Sequence, residues 1–519
     1  MSKSTHASTA VLLVPPSDLE SENQLDEVKF TKDHRIILIP QPSDSPDDPL
    51  NWTSFKKHAI LLCAAFSGFA ADFMVSESVA CIILQAEEWK ISSDGANYPN
   101  NLALIMLGVS SLLWMPLLNS WGRIPVLFWS TVLGLLFTLG CALTPGISTY
   151  YPLRVLQALS QGTGATAGLA FIDDLFFFHE RARKIGVWYT IFLCSPFVSP
   201  LLGYFMVSGL QEWRPVYWVV FAVYSLVLAS IVVFGDETYW NRRSFEPAAR
   251  QEQQEQQQQQ QQPIRKPGWR SRLSRVVGLW QLEIHHHQDR HLGYFYSVLG
   301  SYGRLFGVLI SKPLIPITLI TYSVIFMWGI GINQTSALLL ETSISEGGYG
   351  MSSRAIGFMY FTPIVAVFLG EAIGHKLNDA IASLYVNRHR GLFTPEARLW
   401  TAYLGAALMV PGLILVGYTL QRHLHWVGIV FGWGMYQCGT MLVSVAVVAY
   451  LLDCYPNASV EISTWANFGR CLTGFSIGYF QQAWGRRDGY AVSFGVQAAI
   501  VGAAFGVIWG IQIFGARVR

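Results

Sequence analysis

The sequence predicts an all-α integral membrane protein in which twelve transmembrane helices form two pseudo-symmetric bundles of six. Of its 519 residues, 52% are hydrophobic and only 13% are charged, whereas soluble domains carry about 25% charged residues. Apolar runs of about 20 residues, the length that crosses a bilayer core of about 30 Å, recur about twelve times. A long polar stretch divides these runs six and six.

The residues outside the spans form two long polar stretches, a tail before the first bundle and a linker between the bundles. Residues 1–55 are polar and acidic, so we expect a disordered tail on the cytosolic side. Residues 56–234 are expected to form the first bundle, 235–312 the linker and 313–519 the second bundle. The expected spans are 58–84, 98–118, 124–144, 149–172, 185–208, 214–234, 313–338, 355–377, 399–420, 425–452, 463–483 and 491–514.

The linker is polar and low in complexity. Residues 251–262 are glutamine except for Glu252 and Glu255, and we interpret them as a solvated segment. A histidine triplet at 285–287 could bind a metal, but an incidental cluster is the favoured interpretation. Residues 292–308 have the pattern of an amphipathic helix that lies at a membrane surface.

Lysine and arginine residues are placed asymmetrically along the chain. Most of the 35 lie in the tail, the linker and the loops on the side of the termini. Cytosolic loops carry an excess of these residues, so both termini are expected in the cytosol. The plasma membrane is our first expectation for the location, and the vacuolar membrane is the second.

The stretch from residue 154 to 204 contains features of a membrane protein that changes conformation. Arg154 lies in an apolar run, where an arginine is costly unless it faces a polar cavity or a partner. Small residues follow it at close intervals and allow helix backbones to approach each other. Pro196, Pro200 and Gly203 interrupt the next run, so we expect a break or a hinge there.

Local motifs in this arrangement resemble those of the major facilitator superfamily. Asn119 to Arg123 occupies the place of that family's loop motif, Gly-x-x-x-Asp-Arg-x-Gly-Arg. Gly122 and Arg123 match it and are candidate gating or hinge residues, whereas Asn119 stands where aspartate is usual. Arg154 with residues 161–164 resembles the fourth-span motif, in which the arginine is linked to proton coupling. Residues 199–203 resemble the fifth-span antiporter motif Gly-Pro-x-x-Gly, with serine first.

Three further strings are similar to fungal drug:proton antiporter-like members of this superfamily. They are residues 48–52, 178–181 and 395–399. The resemblance spans about residues 48–515 and implies the major facilitator fold. It also implies a secondary transporter that alternates access between two six-helix halves, and it leaves the substrate open.

Three residues are candidates for proton coupling: Asp72, Arg154 and Glu371. Asp72 lies about 15 residues into the first span, and Arg154 lies at a comparable depth. We hypothesise an Asp72–Arg154 pair that protonation loosens, and a static structural pair remains an equal alternative. Glu371 could line the cavity, although pairing with a loop arginine such as Arg398 is the favoured interpretation.

The other acidic residues in or near spans have simpler interpretations. Glu77 and Glu341 lie toward the outer span ends, so we expect them to be solvated. Asp173 and Asp174 end the fourth span beside a positive turn. They are expected to serve as a cytoplasmic gate or as helix-end contacts.

Aromatic and amide side chains in the second bundle suggest a binding pocket. Such a lining suits an amphipathic, partly aromatic ligand in a concave site, although ordinary packing is an alternative for each residue. Arg470 could bind an anionic group of the substrate or pair with Asp453 or Glu461. The pocket candidates are Tyr322, Trp328, Asn333, Gln334, Phe361, Trp433, Tyr436, Gln437 and Arg470.

The function that we expect is proton-coupled efflux of amphipathic small molecules, such as drugs, toxins or secondary metabolites, by a monomer in the lipid bilayer. A proton-linked importer of a small organic nutrient and a membrane nutrient sensor that does not transport are alternatives. The sequence has no Gly-x-x-x-x-Gly-Lys-Ser/Thr loop, which disfavours an ATP-driven pump. No enzyme activity, cofactor, metal site, glycosylation or nucleic-acid partner is expected.

Overall fold

The computed structural model describes residues 40–43, 45–46, 48–239, 273–274, 276–278, 291–344, 348–388, 394–455 and 458–518. Among these residues the regular structure is helical, and none of them forms a strand. Most of the predicted tail, the glutamine run and the histidine triplet lie outside the described residues.

The first bundle is built from seven helices that make six spans. The first span consists of α1 and α2, which are joined by a 3₁₀ turn at Ser78–Cys81. Each of the remaining spans is one helix. The helices are α1 Ser54–Glu77, α2 Ile82–Trp89, α3 Ser93–Ser120, α4 Arg123–Leu143, α5 Ile147–Leu175, α6 Phe178–Leu210 and α7 Arg214–Phe234.

In the described part of the second bundle there are also six spans, and a linker helix, α8, precedes them. A π-helix at Ala337–Glu341 follows α9, and α10 and α11 together make one span. The helices are α8 His291–Ser311, α9 Leu314–Gln334, α10 Ser353–Met359, α11 Phe361–Arg388, α12 Trp400–Arg422, α13 Val427–Cys454, α14 Ser459–Asp488 and α15 Tyr490–Val518. Below, the terminal face is the one on which α1 begins and α15 ends, and the distal face is the opposite one.

Ten spans in the described part of the chain are long and apolar enough to cross a membrane by composition alone. The other two are α5 and α14, whose 29 and 30 residues also have the length to cross. Both helices carry buried polar side chains, which lower their mean hydropathy. These side chains are tolerated within a span because they face other helices instead of lipid. The predicted all-α fold of two six-helix bundles is confirmed. The buried polar side chains include Arg154, Gln157 and Gln161 in α5 and Asn467, Arg470, Gln481 and Gln482 in α14.

Two glycines of α5 allow it to touch its neighbours backbone to backbone. A Cβ atom added to Gly162 would lie 2.4 Å from the backbone nitrogen of Ser111 in α3. One added to Gly164 would lie 2.3 Å from the carbonyl oxygen of Ser67 in α1. Because both obstacles are backbone atoms, a side chain at either position forces the helices apart.

We therefore expect Gly164→Ala to destabilise the protein by roughly 1–3 kcal/mol, the usual cost of overpacking a well-packed core. The matched control is Gly506→Ala in α15, where an added Cβ would have no atom within 4 Å. The fraction of each variant that stays monodisperse after heating, measured by size-exclusion chromatography, reports the loss of stability. An equal loss in the two variants would contradict the packing described here.

The predicted break in the fifth span is wrong, because α6 continues through both prolines as one helix of 33 residues. A proline removes a backbone N–H and leaves the carbonyl four residues earlier without its helical partner. Pro196 frees the carbonyl of Phe192, which accepts from Ser195 Oγ at 2.8 Å. Pro200 frees the carbonyl of Pro196, which accepts from Asn333 Nδ2 of α9 at 3.1 Å. With both carbonyls satisfied, the helix remains intact.

The linker helix α8, predicted from its amphipathic pattern, contacts both bundles. The indole nitrogen of Trp465 in α14 donates to the carbonyl of Leu305 at 2.9 Å. The hydroxyl of Tyr302 donates to the carbonyl of Leu113 in α3 at 3.3 Å. Ile310 is exposed, as expected of an apolar face that meets lipid. The helix thus lies across the line where α3 and α14 meet.

Candidate functional site

A buried ion pair joins the two bundles. Arg470 of α14 donates from Nη1 and Nη2 to the two carboxylate oxygens of Asp72 in α1, at 2.8 and 3.0 Å. The side chains of Asp72 and Arg470 are only 4% and 7% exposed. Arg470 also donates to Asn467 at 2.8 Å, and its guanidinium lies over the rings of Phe192 and Phe326. A bidentate pair of this kind fixes the orientation of both groups.

A narrow cavity lies against this ion pair. Its volume is about 30 Å³, which is room for about two water molecules. Sites for organic ligands measure about 300–1,000 Å³, so a substrate can enter only after the bundles move apart. The polar lining consists of Asp72, Ser76, Asn333, Gln334, Gln437 and Arg470.

Hydrogen bonds between the bundles close the cavity from both sides. Toward the distal face, the hydroxyl of Tyr204 in α6 lies 3.4 Å from Ser336 Oγ, just after α9. Toward the terminal face, Ser459 Oγ of α14 donates to the carboxylate of Asp173 in α5 at 2.5 Å. Asp173, which is predicted to serve as a cytoplasmic gate or as a helix-end contact, lies at this contact between the bundles, and a gating role stays a prediction. The structure therefore corresponds to a closed state of the two halves.

Arg154 does not pair with Asp72, so the predicted Asp72–Arg154 pair is wrong. Arg154 Nη1 donates to Glu77 Oε1 at 2.9 Å, and Nη2 donates to the carbonyl of Val75 and to Ser78 Oγ. The side chains of Arg154 and Glu77 are both 0% exposed. The expectation that Glu77 is solvated is also wrong, since it is the counter-ion of a buried arginine.

The geometry of α1 explains which carboxylate each arginine meets. Asp72 and Glu77 are five residues apart, which at 3.6 residues per turn places them about 140° apart around the helix. One side chain consequently faces α14 of the other bundle, and the other faces α5 of the same bundle. Two buried arginines thus have two separate carboxylate partners.

Glu371 lies outside the cavity lining and pairs with His375 on the next turn of α11, at 2.8 Å. Both residues pack against Gly186 of α6. The predicted pairing of Glu371 with Arg398 is wrong, because Arg398 pairs with Asp453. Glu371 therefore contacts the first bundle through α6, away from the Asp72–Arg470 pair.

Two further predicted partnerships are corrected. Asp453 and Glu461 were expected as alternative partners of Arg470, but Glu461 lies 3.6 Å from Arg304 of α8 and Asp453 pairs as described above. Glu341 was expected to be solvated. It is only partly exposed, and it accepts a hydrogen bond from the hydroxyl of Ser353.

Four of the nine predicted pocket residues line the cavity, and contact of any of them with a substrate stays a prediction. The four lining residues are Asn333, Gln334, Gln437 and Arg470. Tyr322, Trp328, Trp433 and Tyr436 are buried but are not among the lining residues. Phe361 is 49% exposed on the outside of the bundle, so its prediction as a pocket residue is wrong. Successive residues of a helix point about 100° apart, and the neighbour of Phe361, Tyr360, turns inward instead.

Tyr360 is a residue of the site that sequence reasoning missed. It is 0% exposed, and its hydroxyl lies 2.9 Å from Asn333 Oδ1 and 2.7 Å from Ser336 Oγ. The tyrosine thereby links α10 and α11 to the end of α9 beside the cavity. A single aromatic residue in an apolar run carries no distinguishing signal in the sequence.

The predicted loop motif forms a polar network at the terminal face, although Asn119 replaces the usual aspartate. Arg123 donates to Asn119 Oδ1 at 2.6 Å and to Asp174 Oδ2 at 3.2 Å. Gly122 has a φ of 112°, a conformation that glycine adopts readily. The carboxylate of Glu237 accepts from backbone N–H groups at the start of α4. Burial raises the pKa of Glu237, and these N–H groups oppose that rise.

The remaining predicted hinge residues lie at contacts within and between the bundles. Pro196 lines the cavity. A Cβ atom added to Gly203 would lie 2.9 Å from the Cβ of Ala80, so this glycine lets α6 approach the 3₁₀ turn of the first span. Any motion at these positions remains a prediction.

Comparisons with known proteins agree along most of the chain. The family model described as Major Facilitator Superfamily matches residues 60–478. The chain is 24% identical to the MFS antiporter QDR3 of Candida albicans, over 90% of this chain and 78% of that protein. It is also 24% identical to the efflux pump radE of Floropilus chiversii, over 83% and 75%. In structure it is similar to the xylose transporter XylE of E. coli, with a TM-score of 0.56 and 14% identity over 88% and 99%. At that identity the likeness shows the fold alone.

Proposed function

Because the chain belongs to the Major Facilitator Superfamily, whose members are membrane transporters, we propose that it is a proton-coupled efflux pump for amphipathic small molecules. Drugs, toxins and secondary metabolites are the substrate classes. The observation that carries the proposal is the Asp72–Arg470 pair, a titratable contact between two bundles beside a closed cavity. The names of two relatives, an antiporter and an efflux pump, agree with this direction of transport.

The ion pair offers a simple means of coupling. While Asp72 is ionised, its bidentate bond to Arg470 holds α1 against α14. A proton on Asp72 removes the negative charge and weakens the contact, so the bundles part more readily. Return of the proton to solution on the other side restores the pair. Coupling then requires that the bundles expose Asp72 to one face at a time.

The cavity lining suits an amphipathic substrate once the bundles separate. Asn333, Gln334 and Gln437 supply amide donors and acceptors, and Phe197 and Phe326 supply aromatic surface. A few polar groups in a mostly apolar wall fix the orientation of a ligand without demanding one chemical structure. A lining of this composition suits a class of amphipathic compounds more than one particular compound.

The orientation belongs to the same proposal. We place the terminal face in the cytosol, because lysine and arginine are concentrated on that side. The plasma membrane is the proposed location, and the protein acts there as a monomer. In this orientation the distal face meets the medium into which substrate is released.

The test is efflux of a panel of amphipathic aromatic compounds from cells that express the chain, with and without a protonophore. We expect at least one compound to leave the cells in a protonophore-sensitive manner. Gradient-dependent uptake would contradict export and identify an importer. Efflux at the same rate with and without the protonophore would contradict proton coupling. No flux for any compound would contradict a broad efflux function and favour the sensor alternative.

A further inference from the structure

Buried amide side chains without partners are concentrated near the distal face. Gln85 of α2 and Asn97, Asn100 and Asn101 of α3 are each at most 1% exposed. Among the described residues, none of their amide oxygens has a hydrogen-bond partner, and neither have the amide nitrogens of Gln85, Asn100 and Asn101. The amide oxygen of Gln482 in α14 is in the same situation.

Such a cluster is costly in a dry protein. Each buried donor or acceptor that lacks a partner costs about 1–3 kcal/mol, and apolar side chains of similar size would avoid that cost. Buried polar groups normally bind a protein group or an ordered water molecule. The cluster therefore points to molecules that hydrogen-bond to it.

Asn97, Asn101, Leu104 and Gly108 follow one another at spacings of three or four residues and form one stripe of α3, which packs against α14 of the other bundle. Along this stripe the two helices pack closely from Asn101 to Gly108. Added Cβ atoms at Gly478 and Gly474 of α14 would touch Asn101 and Leu104, and one at Gly108 of α3 would touch Cys471 of α14. Further along, Asn467 of α14 donates to Ser111 of α3 at 2.6 Å. Along this stripe, the unpartnered amides lie only in the part nearest the distal face.

The spacing of the amides fits single water molecules between them. Side chains three or four residues apart on a helix have Cβ atoms about 5–6 Å apart, and one water spans that distance with two hydrogen bonds of about 2.8 Å. Asn97 and Leu104 are separated by a rise of about 10 Å along the helix. Leu104 follows Asn101 by about one turn of α3 and lines the same cavity as Asp72, so the amides lie between the distal face and that cavity.

We propose that Gln85, Asn97, Asn100 and Asn101 line a water-filled lane, here called the amide lane, that carries protons between the distal face and Asp72 while the bundles remain closed. The proposal rests on the proposed function, since it assumes that Asp72 is the coupling carboxylate. A neutral amide donates and accepts hydrogen bonds but carries no charge that would hold a proton. Each water in the lane accepts one proton and passes another on, and the last proton bonds to a carboxylate oxygen of Asp72.

The groups around Asp72 agree with its role as the end of the lane. Among the described residues, the titratable side chains near it are Arg470 and Cys471 of α14 and Tyr224 of α7, and Tyr189 of α6 lies near Arg470. Arginine is protonated already, and free thiols and phenols are ordinarily neutral near pH 7. Among these groups, the carboxylate of Asp72 is therefore the one that accepts a proton.

Hydroxyl-radical footprinting of the full-length protein in nanodiscs tests the lane without substrate or gradient. Radicals formed from bound water oxidise adjacent side chains, and mass spectrometry locates the products. Leu104 and Leu107 are matched reporters on α3, because they are 4% and 0% exposed and only Leu104 lies on the lane. We expect Leu104 to be oxidised at least about fivefold faster than Leu107. Equal protection of the two leucines would overturn the proposal.

Two comparisons separate a lane from an opening of the bundles. Tyr204 and Tyr360 are 0% exposed at the distal contact, and tyrosine reacts with radicals faster than leucine. We expect both tyrosines to stay protected, and oxidation of them together with Leu104 would overturn the proposal. The variant Asn100→Leu/Asn101→Leu should lose most of the Leu104 oxidation, whereas Asn100→Ser/Asn101→Ser should keep it. Equal oxidation in the two variants would also overturn it.

The outcome is distinguishable from that of the proposed function. Footprinting reports water beside Leu104 whether or not the protein transports anything. If Leu104 is oxidised but transport does not depend on the proton gradient, the lane exists and the assumption that Asp72 couples transport fails. If transport depends on the gradient but Leu104 is protected, the efflux proposal stands and the lane is wrong.

Discussion

Replacing Asp72 by asparagine is expected to abolish transport driven by a proton gradient while substrate exchange at equal pH continues. Asparagine keeps the size of the side chain but cannot be ionised, and it leaves Arg470 buried without its counter-charge. Breaking a buried pair in this way costs about 3–5 kcal/mol, which disfavours the closed state by at least about 100-fold. Gradient-driven flux and substrate exchange in proteoliposomes measure the two effects separately.

The matched control is Asp94→Asn. Asp94 of α3 also meets an arginine of α14, Arg486 at 3.6 Å, but these side chains are 48% and 38% exposed. Exposed pairs contribute about 0–1 kcal/mol, so we expect gradient-driven flux to fall by no more than about fivefold. Undiminished gradient-driven flux in Asp72→Asn would exclude this carboxylate as the coupling group.

Replacing Arg154 by methionine is expected to have the largest effect on stability. Arg154 donates to Glu77, Gln157, Ser78 and the carbonyl of Val75, and methionine supplies none of these bonds. Glu77 is then left as a buried carboxylate without a counter-charge, a loss of about 3–5 kcal/mol. The yield of monodisperse protein and its unfolding temperature measure the effect.

A second substitution separates the charge of Glu77 from the packing of the arginine. In Arg154→Met/Glu77→Gln no buried charge remains at this site, so we expect the double variant to recover at least about half of the lost stability. Arg154→Lys tests the geometry, since lysine keeps the charge but lacks the planar fork. A double variant as unstable as Arg154→Met alone would show that the arginine acts by packing and not by pairing with Glu77.

Much of the fold could be predicted from the sequence because bilayer thickness sets helix length. Twelve apolar runs of the required length, the linker between the sixth and seventh, and the helix near residues 292–308 all follow from composition and periodicity. Local chemistry also predicts that Arg154 faces a polar cavity or a partner. In each case the signal lies within one segment of the chain.

The partners of the buried charges could not be predicted in the same way. Asp72 and Glu77 both lie at a depth in the membrane close to that of a buried arginine. To decide which carboxylate pairs with which arginine, one must know the direction in which each side chain points from α1. That direction depends on which helices pack against α1, and only the assembled bundles determine it. Phe361 and Tyr360 illustrate the same limit, since a shift of one residue decides which aromatic side chain faces inward.

The unpartnered amides of α3 show another limit. Asn97, Asn100 and Asn101 stand where the second span begins, a position at which polar residues are ordinary in a sequence. Their significance arises from being at most 1% exposed, and burial depends on contacts with other helices, such as the contact of Asn101 with α14. No pattern within the chain specifies that contact.

The central claim is that protonation of Asp72 weakens its contact with Arg470 and lets the bundles part. The most direct test is a distance measurement by electron–electron double resonance between spin labels at Leu210→Cys and Leu424→Cys. These exposed positions lie on the distal face in the first and second bundles. The two half-buried native cysteines, Cys438 and Cys454, are replaced by alanine in the labelled protein.

The account predicts that the distance distribution of the otherwise unchanged protein shifts between high and low pH. It also predicts that Asp72→Asn has the low-pH distribution at both pH values. A variant that retains the full pH-dependent shift would show that another group controls the bundles, and it would contradict the account.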